Sequence, residues 1–401
     1  MVAESGVFAL NLITLTVIVF SAHLLLLRAT KLQAYLPLAV CLISVGVVLS
    51  QPVLASLPTP WRVSFLILSL PALMLIAPSF WCYVCGITAQ SPWQFKQVSK
   101  VHFLPFAIGG GVALIALLMP SEIQYQLLVL GDDSLLTSLS TPMQWLVGGI
   151  LIVTFLLVIA WVIQSGYYVY QVIGRLHQYR RHLKDLFAST EEKEARWLTW
   201  LLLAIGVVWV LAATSLLIDN LLFSFRFDGV ISGAVTLVMV WSVALWGLRQ
   251  KPGFEELYTS QIVVEQVLTS SEQQQTKYQR SALSSEQANT IAAKIEQAMQ
   301  QDQLYLDSSL SLQKLASHIH TSPNYISQTL NEALGANFFD YVNRYRIEAA
   351  KQALQQSNDT VVDIAMAVGF NAKSSFYTAF KKETQQTPSQ YRKSVHLEAA
   401  N

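Results

Sequence analysis

Seven stretches of this chain are each about as long and as apolar as a bilayer core requires, at roughly 7–27, 35–56, 63–86, 102–119, 145–170, 197–218 and 229–247. About 20 consecutive apolar residues suffice for a helix to cross that core, where every backbone N–H and C=O must be paired within the segment. The first 250 residues are therefore expected to form a seven-helix transmembrane bundle. Composition changes abruptly after it. All ten Trp precede Lys251, whereas Gln and Ser crowd the remainder. The whole chain is only 13% charged with a mean hydropathy of +0.42, an average over one membrane part and one soluble part. The first apolar run lacks the basic leader and small-residue cleavage site of a signal peptide, and is read as a retained helix.

The basic residues set an orientation, because Lys and Arg concentrate in cytoplasmic loops. Arg28 and Lys31 mark the first loop, Lys96 and Lys100 the third, and Arg175, Arg180, Arg181, Lys184, Lys193 and Arg196 the fifth. The even loops carry only Arg62 and Arg226, and the N-terminal segment carries none. The odd loops are thus expected inside, the N-terminus outside, and everything after residue 250 in the cytoplasm. The fourth loop, Pro120 to Gln144, contains Glu122, Asp132 and Asp133; it reads first as a solvated connector, with contact to an external ligand as the alternative. Trp61, Trp81, Trp93, Trp145, Trp197 and Trp246 fall near span ends, where amphipathic rings favour the interface. Polar residues within spans are Asn11, His23, Gln51, Gln164 and Asp219, of which the amides more often join helices than bind ligand. Cys82 and Cys85 share a helix face, but no second Cys or His cluster supports a metal site, and no disulfide framework or cofactor is expected. Gly109, Gly110 and Gly111 read as a place of close helix approach.

Residues 251–286 read as a solvated linker, and 287–401 as a separate helical domain. Within it two helix-turn-helix patterns are expected, near 312–334 and 361–384, making the whole chain all-α. In the first, Leu312, Leu315, Ala316 and Ile319 form an apolar face. Ser322 is a good N-cap, Pro323 suits the first helical position, and Gly335 suits the helix end. Asn324, Tyr325, Ser327, Gln328 and Asn331 are left for exposed faces, where Asn and Gln can pair with adenine and hydroxyls can reach bases or phosphates. In the second, Thr360 stands three residues before Asp363, a capping-box-like start. Ile364, Ala365 and Val368 line its inner face, Gly369 permits a turn, and Phe370 plugs the junction. Lys373, Ser374, Ser375, Thr378 and Lys381 point outward, while Phe376 and Phe380 point inward. Lys381, Lys382, Arg392 and Lys393 are placed to meet phosphates. Between the units, Arg344 and Arg346 lie on a spacer helix; one is expected to touch DNA backbone and the other to serve an ion pair.

One helix-turn-helix pattern is weak evidence. Two at this spacing, with GF after the first helix of the second pair and FKK…TPSQYR after its second helix, resemble the AraC/XylS family of transcription regulators. KYQRSALSSEQ, LYLDSSLSLQKLA and NYISQTLNEALGANFFDYVNRYRIEAAK resemble the membrane-anchored members with seven spans, and PALMLI, HFLPF and FASTEEKEARWLTWLL resemble their membrane part less specifically. The resemblance implies two reading helices entering successive major-groove segments on one face of promoter DNA. It further implies an inner-membrane, multi-pass regulator acting as a homodimer, with RNA polymerase and an unidentified signal ligand as further partners. One departure stands out. Gln385 and Gln386 occupy the place after the second reading helix where the family commonly has glycine; a left-handed backbone there would cost about 1 kcal/mol. From Asp302 to Lys393 there are nine Lys and Arg against eight Asp and Glu, so nonspecific DNA affinity should be low.

The function expected is therefore a membrane-bound one-component DNA-binding regulator controlled through its spans. A transporter or channel with a DNA-binding tail is the alternative, as are spans that only anchor. Against transport, charged residues inside spans are scarce and no inverted repeat stands out. Against an enzyme, the sequence has no Walker loop, no GxSxG, no HExxH and no histidine-kinase core.

Overall fold

The structure is a computed structural model that describes residues 2–54, 58–130, 139–191, 193–221, 229–255 and 285–399. Asp132, Asp133, Arg226 and most of the expected linker lie outside the described residues, as does the side chain of Asp219. Among the described residues the regular elements are helical, with one isolated antiparallel bridge between Phe187 and Ser311. The chain divides into two compact units. The first comprises residues up to Arg175 together with Ala195–Pro252; the second comprises Leu176–Glu194 together with the chain from Gly253 onward.

Among the described residues, the longer helices of the first part of the chain are α1 (Val2–Ala29), α2 (Leu36–Leu49), α3 (Thr59–Ile87), α4 (Leu104–Leu117), α5 (Thr141–Leu186), α6 (Arg196–Leu221) and α7 (Gly229–Arg249). Among the described residues, five stretches are long and apolar enough to cross a membrane: Ser5–Ala29, Trp61–Ile87, Lys100–Leu117, Thr141–Leu186 and Gly229–Arg249. The other two apolar stretches, Gln33–Leu49 and Arg196–Val208, are shorter over the described residues. The second expected segment ends early because the helix breaks at Ser50, just before Pro52, and resumes only as a short turn at Gln51–Leu54. The fifth runs further than its apolar core. Beyond Tyr170 the sequence is polar but free of proline, so the helix continues to Leu186.

Within the first unit, α1 packs on α2 and α7, α2 on α3, and α3 on α4. Side chains fasten the helix ends: Tyr35 Oη donates to the Gln250 carbonyl at 2.8 Å, and Trp197 Nε1 donates to Gln250 Oε1 at 3.1 Å. Of the three consecutive glycines only Gly109 approaches a neighbour, where a Cβ would lie 3.4 Å from the Pro71 backbone; Gly110 and Gly111 face open space. Large apolar side chains cover the outside, including Trp145 at 78% exposure and Trp200 at 72%. A helix surface of this kind loses favourable burial in water and gains it in hydrocarbon.

The second unit contains the last turns of α5 and α8 (Ser285–Gln300), α9 (Leu312–His318), α10 (Pro323–Gln328), α11 (Phe338–Gln356), α12 (Val361–Ala367), α13 (Lys373–Thr384) and α14 (Pro388–Ala399). Its helix starts follow from local chemistry. Ser311, Ser322, Asn337 and Thr360 each accept a hydrogen bond from the backbone N–H three residues on, relieving one unpaired donor per helix. One core joins α11 to α12 and α13 through Ile347, Ala350, Leu354, Ile364, Ala365, Val368, Phe370, Phe376 and Phe380. Around α9 and α10, Leu312, Leu315, Ala316, Ile326 and Leu330 are buried against Ile291, Ile295 and Met299 of the amphipathic α8.

Candidate nucleic-acid interface

Two helix pairs, α9–α10 and α12–α13, flank α11. In the first, Ser322 Oγ accepts from Tyr325 N–H at 3.4 Å, and Pro323 occupies the first helical turn. After Gln328 the helix widens into a π turn at Thr329–Ala333, with Leu334 N–H donating to the Thr329 carbonyl. Gly335 then turns the chain with φ +62°, a left-handed value that a Cβ would strain. In the second pair, Thr360 Oγ1 accepts from Asp363 N–H at 3.2 Å and donates to Asp363 Oδ2 at 2.6 Å. Gly369 has φ +95°, and a Cβ there would lie 2.6 Å from the Tyr305 carbonyl oxygen. Only glycine allows this close passage between the segment before α9 and the turn before α13.

The outward residues divide by position. Tyr325 is exposed, and Asn324, Gln328 and Asn331 are partly so. Gln328 Nε2 donates to Glu332 Oε2 at 3.1 Å, which orients the amide along the helix. Ser327 departs from its expected place: at 5% exposure it belongs to the packed face. With 100° per residue, Ser327 projects only about 60° from Leu330, so the apolar stripe includes it. Asn331 Nδ2 donates to Ser327 Oγ at 3.5 Å, giving that hydroxyl an internal partner.

On α13, Lys373, Ser374, Thr378, Lys381 and Lys382 are exposed and Ser375 is partly so, while Phe376 and Phe380 are fully buried. Lys373 Nζ lies 5.4 Å from the Tyr377 ring centroid. Lys382 Nζ binds Asp340 Oδ1 of α11 at 2.7 Å, across a partly exposed pair worth little to stability. Tyr377, Thr378, Lys381, Lys382, Gln385 and Thr387 line an open groove of about 430 Å³ beside this helix. Gln385 closes it with φ +60°, the left-handed conformation at the position where a glycine would be free of strain.

Arg392 is half-buried and makes a contact within the domain. Its Nη2 donates to the Asp359 carbonyl at 2.7 Å and its Nε is buried, so it ties α14 to the segment before α12. Arg344 is exposed, whereas Arg346 is completely buried. Instead of an ion pair, Arg346 makes hydrogen bonds to carbonyls: Nε donates to Tyr305 O at 2.7 Å and Nη2 to Asp307 O at 2.9 Å. Burial pushes this guanidinium down to about 10, opposed by Glu191 and Asp307, so it stays cationic at neutral pH. Nearby, burial raises the Asp307 carboxyl, but hydrogen bonds from Ser309 and Lys314 outweigh it and hold the group below its ordinary value. Of the two spacer-helix arginines, one of which was expected to be structural, Arg346 takes that role, through carbonyls rather than an ion pair.

Residues 315–394 match the family described as "Helix-turn-helix domain". An HTH-type transcriptional regulator of Staphylococcus aureus (strain COL) is 37% identical over 99 residues, 25% of this chain and 13% of that protein. The bifunctional transcriptional activator/DNA repair enzyme AdaA of Bacillus subtilis (strain 168) is 37% identical over 89 residues, 22% of this chain and 42% of AdaA. The chain thus spans less than half the length of these curated relatives. Among solved structures, the C-terminal domain of the two-component response regulator yesN from Fusobacterium nucleatum aligns at 34% identity over 27% of this chain and 99% of that one, with a TM-score of 0.23. The carboxy-terminal region of the chain is a helix-turn-helix domain of the AraC type.

Proposed function

We propose that the protein is a membrane-bound transcription regulator that reads promoter DNA with α10 and α13. The observation that carries this reading is the union, in one chain, of long helices with apolar outer faces and a helix-turn-helix domain whose reading helices leave amides and lysines outward. Asn324, Tyr325, Gln328 and Asn331 suit base edges and sugar–phosphate, and Lys373, Ser374, Ser375, Thr378, Lys381 and Lys382 suit backbone contact with some base readout. Ser327 packs on the inner face of α10, and the half-buried Arg392 on α14 suits a phosphate. The seven apolar segments span the inner membrane with the helix-turn-helix domain in the cytoplasm, as the loop charges require. The near balance of charge in the domain leaves low nonspecific affinity, which homodimerisation or confinement at the membrane offsets by raising effective concentration at the site. A signal received by the spans changes DNA occupancy, and RNA polymerase is the partner at the promoter.

Footprinting with the full chain in lipid discs on chromosomal fragments tests this. A discrete protected site is expected; uniform binding to every fragment overturns sequence-specific regulation. Cysteine labelling from either side of the membrane, with reporters at residues 30 and 395, should place both inside; labelling of the second only from outside overturns the topology. If the response to the natural stimulus survives replacement of the spans by an unrelated anchor, the spans do not sense.

A further inference from the structure

The second unit is discontinuous in sequence. It includes residues 176–194, which precede two apolar helices, together with the helix-turn-helix domain that follows them. The contact is built from main chain as well as side chain. Phe187 pairs with Ser311 in an antiparallel bridge, and Ala188 N–H donates to the Leu310 carbonyl at 3.1 Å. In return, Arg346 Nη1 donates to the Ala188 carbonyl and to Ser189 Oγ, both at 3.1 Å. Phe187, Ala188 and Thr190 are buried; the Phe187 ring stacks on Phe254 at 6.5 Å, and Lys184 Nζ lies 5.6 Å from the Phe339 ring centroid.

Arg346 makes this contact consequential. The same guanidinium holds the Tyr305 and Asp307 carbonyls, which lead into the first helix pair. It also lies 5.5 Å from the Phe370 ring, at the turn of the second pair. Loop 187–189, the segment before α9 and the turn before α13 therefore meet on one cation. We propose that residues 187–190 are a strap that holds the junction between the two helix pairs in register, so that the two reading helices can engage DNA together. This rests on the DNA-reading function proposed above.

The bond inventory supports a strap that can let go. Were it to leave, Arg346 would keep its two carbonyls from the segment before α9, and Nη1 would keep Asn343 Oδ1 at 3.4 Å. Leu310 O and the freed guanidinium edge would be hydrated rather than buried unpaired, so release does not require unfolding. Two linked readers bind as a bivalent pair only while their spacing matches the site. A loosened junction thus lowers affinity without touching any residue on the DNA face. The strap is also covalently continuous with α5, a helix that begins at Thr141. Motion along or about that helix is a direct way to tighten or free the junction.

The test uses the full chain in lipid discs. Ser189→Ala removes one acceptor, and Ala188→Pro removes the N–H given to Leu310. Hydrogen exchange at residues 304–314 and 343–347 should accelerate by about tenfold in at least one variant. Affinity for the footprinted fragment should fall about fivefold, with the thermal midpoint of the domain retained. In the oxidised F187C/S311C variant a disulfide should form, since paired antiparallel residues lie at suitable distance, and affinity should exceed that of the same variant when reduced. Absence of that crosslink, or unchanged exchange in both strap variants, overturns the strap. Faster exchange with unchanged or higher affinity overturns its role in holding the readers in register. A parent with a protected junction but no discrete footprint overturns the DNA function and its coupling, while leaving the contact itself established by exchange.

Discussion

Helix α10 starts on a serine cap, runs six residues and loosens into a π turn, whereas α13 runs 12 residues with no side-chain cap at Ala372 and ends on a left-handed glutamine. The first presents amides and a tyrosine, with Glu332 close by; the second presents three lysines. The difference separates two tasks that a DNA reader must perform. Amide side chains discriminate base edges but release few counterions, whereas lysines supply salt-dependent affinity with little sequence information. The pair is held together by α11, whose buried Arg346 bonds the segment leading into the first pair and lies against Phe370 at the turn of the second.

The contrast can be broken most forcefully at that arginine. Arg346→Met should destabilise both helix pairs together by about 3 kcal/mol, because several carbonyls lose a charged donor. Denaturant unfolding of the domain followed by exchange would show it; loss confined to one pair would mean that the arginine does not join them. Next come the caps. Ser322→Ala should cost about 1 kcal/mol and fray α10, while Ala372→Ser should stabilise α13 by a similar amount, both read from exchange near each helix start. Equal responses in both helices would erase the asymmetry. Gln385→Gly should raise stability by at most about 1 kcal/mol by relieving the left-handed strain, seen as a higher thermal midpoint. On the DNA side, Lys381→Ala should reduce the slope of log affinity against log salt by about 0.9, whereas Gln328→Ala should weaken binding to the specific site without changing that slope. The smallest effect is acidic. The lowered carboxyl of Asp307 contributes stability above its ordinary value of 3.8, and this is lost as pH falls through the lower folded value. Asp307→Asn should therefore lower stability slightly at neutral pH and flatten the acid limb of an unfolding profile, so that the two profiles converge at low pH.

Local chemistry explains which of these features sequence could reveal. Ser322 before Pro323, Thr360 before Asp363, and glycines at 335 and 369 each act within a few residues, so their roles follow from spacing alone. Phe376 and Phe380 follow from helical periodicity. Ser327 was misplaced because a small hydroxyl does not signal burial and the packed stripe is wider than its apolar residues. Which of Arg344 and Arg346 would be structural could not be read, because most acceptors of Arg346 are backbone carbonyls 39 to 158 residues away, which carry no side-chain signature. The extension of α5 to Leu186 was hidden by the end of its apolar run, although nothing in the polar residues beyond it opposes a helix.

The interrupted sequence of the second unit also orders its birth. Strap residues 187–190 leave the ribosome before their partners at 310–311 and 346 have been translated. At common elongation rates of roughly 5–20 residues per second, the wait is on the order of ten seconds. Throughout it, the Ala188 N–H and carbonyl and the Ser189 hydroxyl lack the partners that Leu310 and Arg346 later supply. The domain can therefore close only after the intervening chain has been made. Maturation of the reader is thereby tied to completion of the helices α6 and α7 that lie between its two pieces.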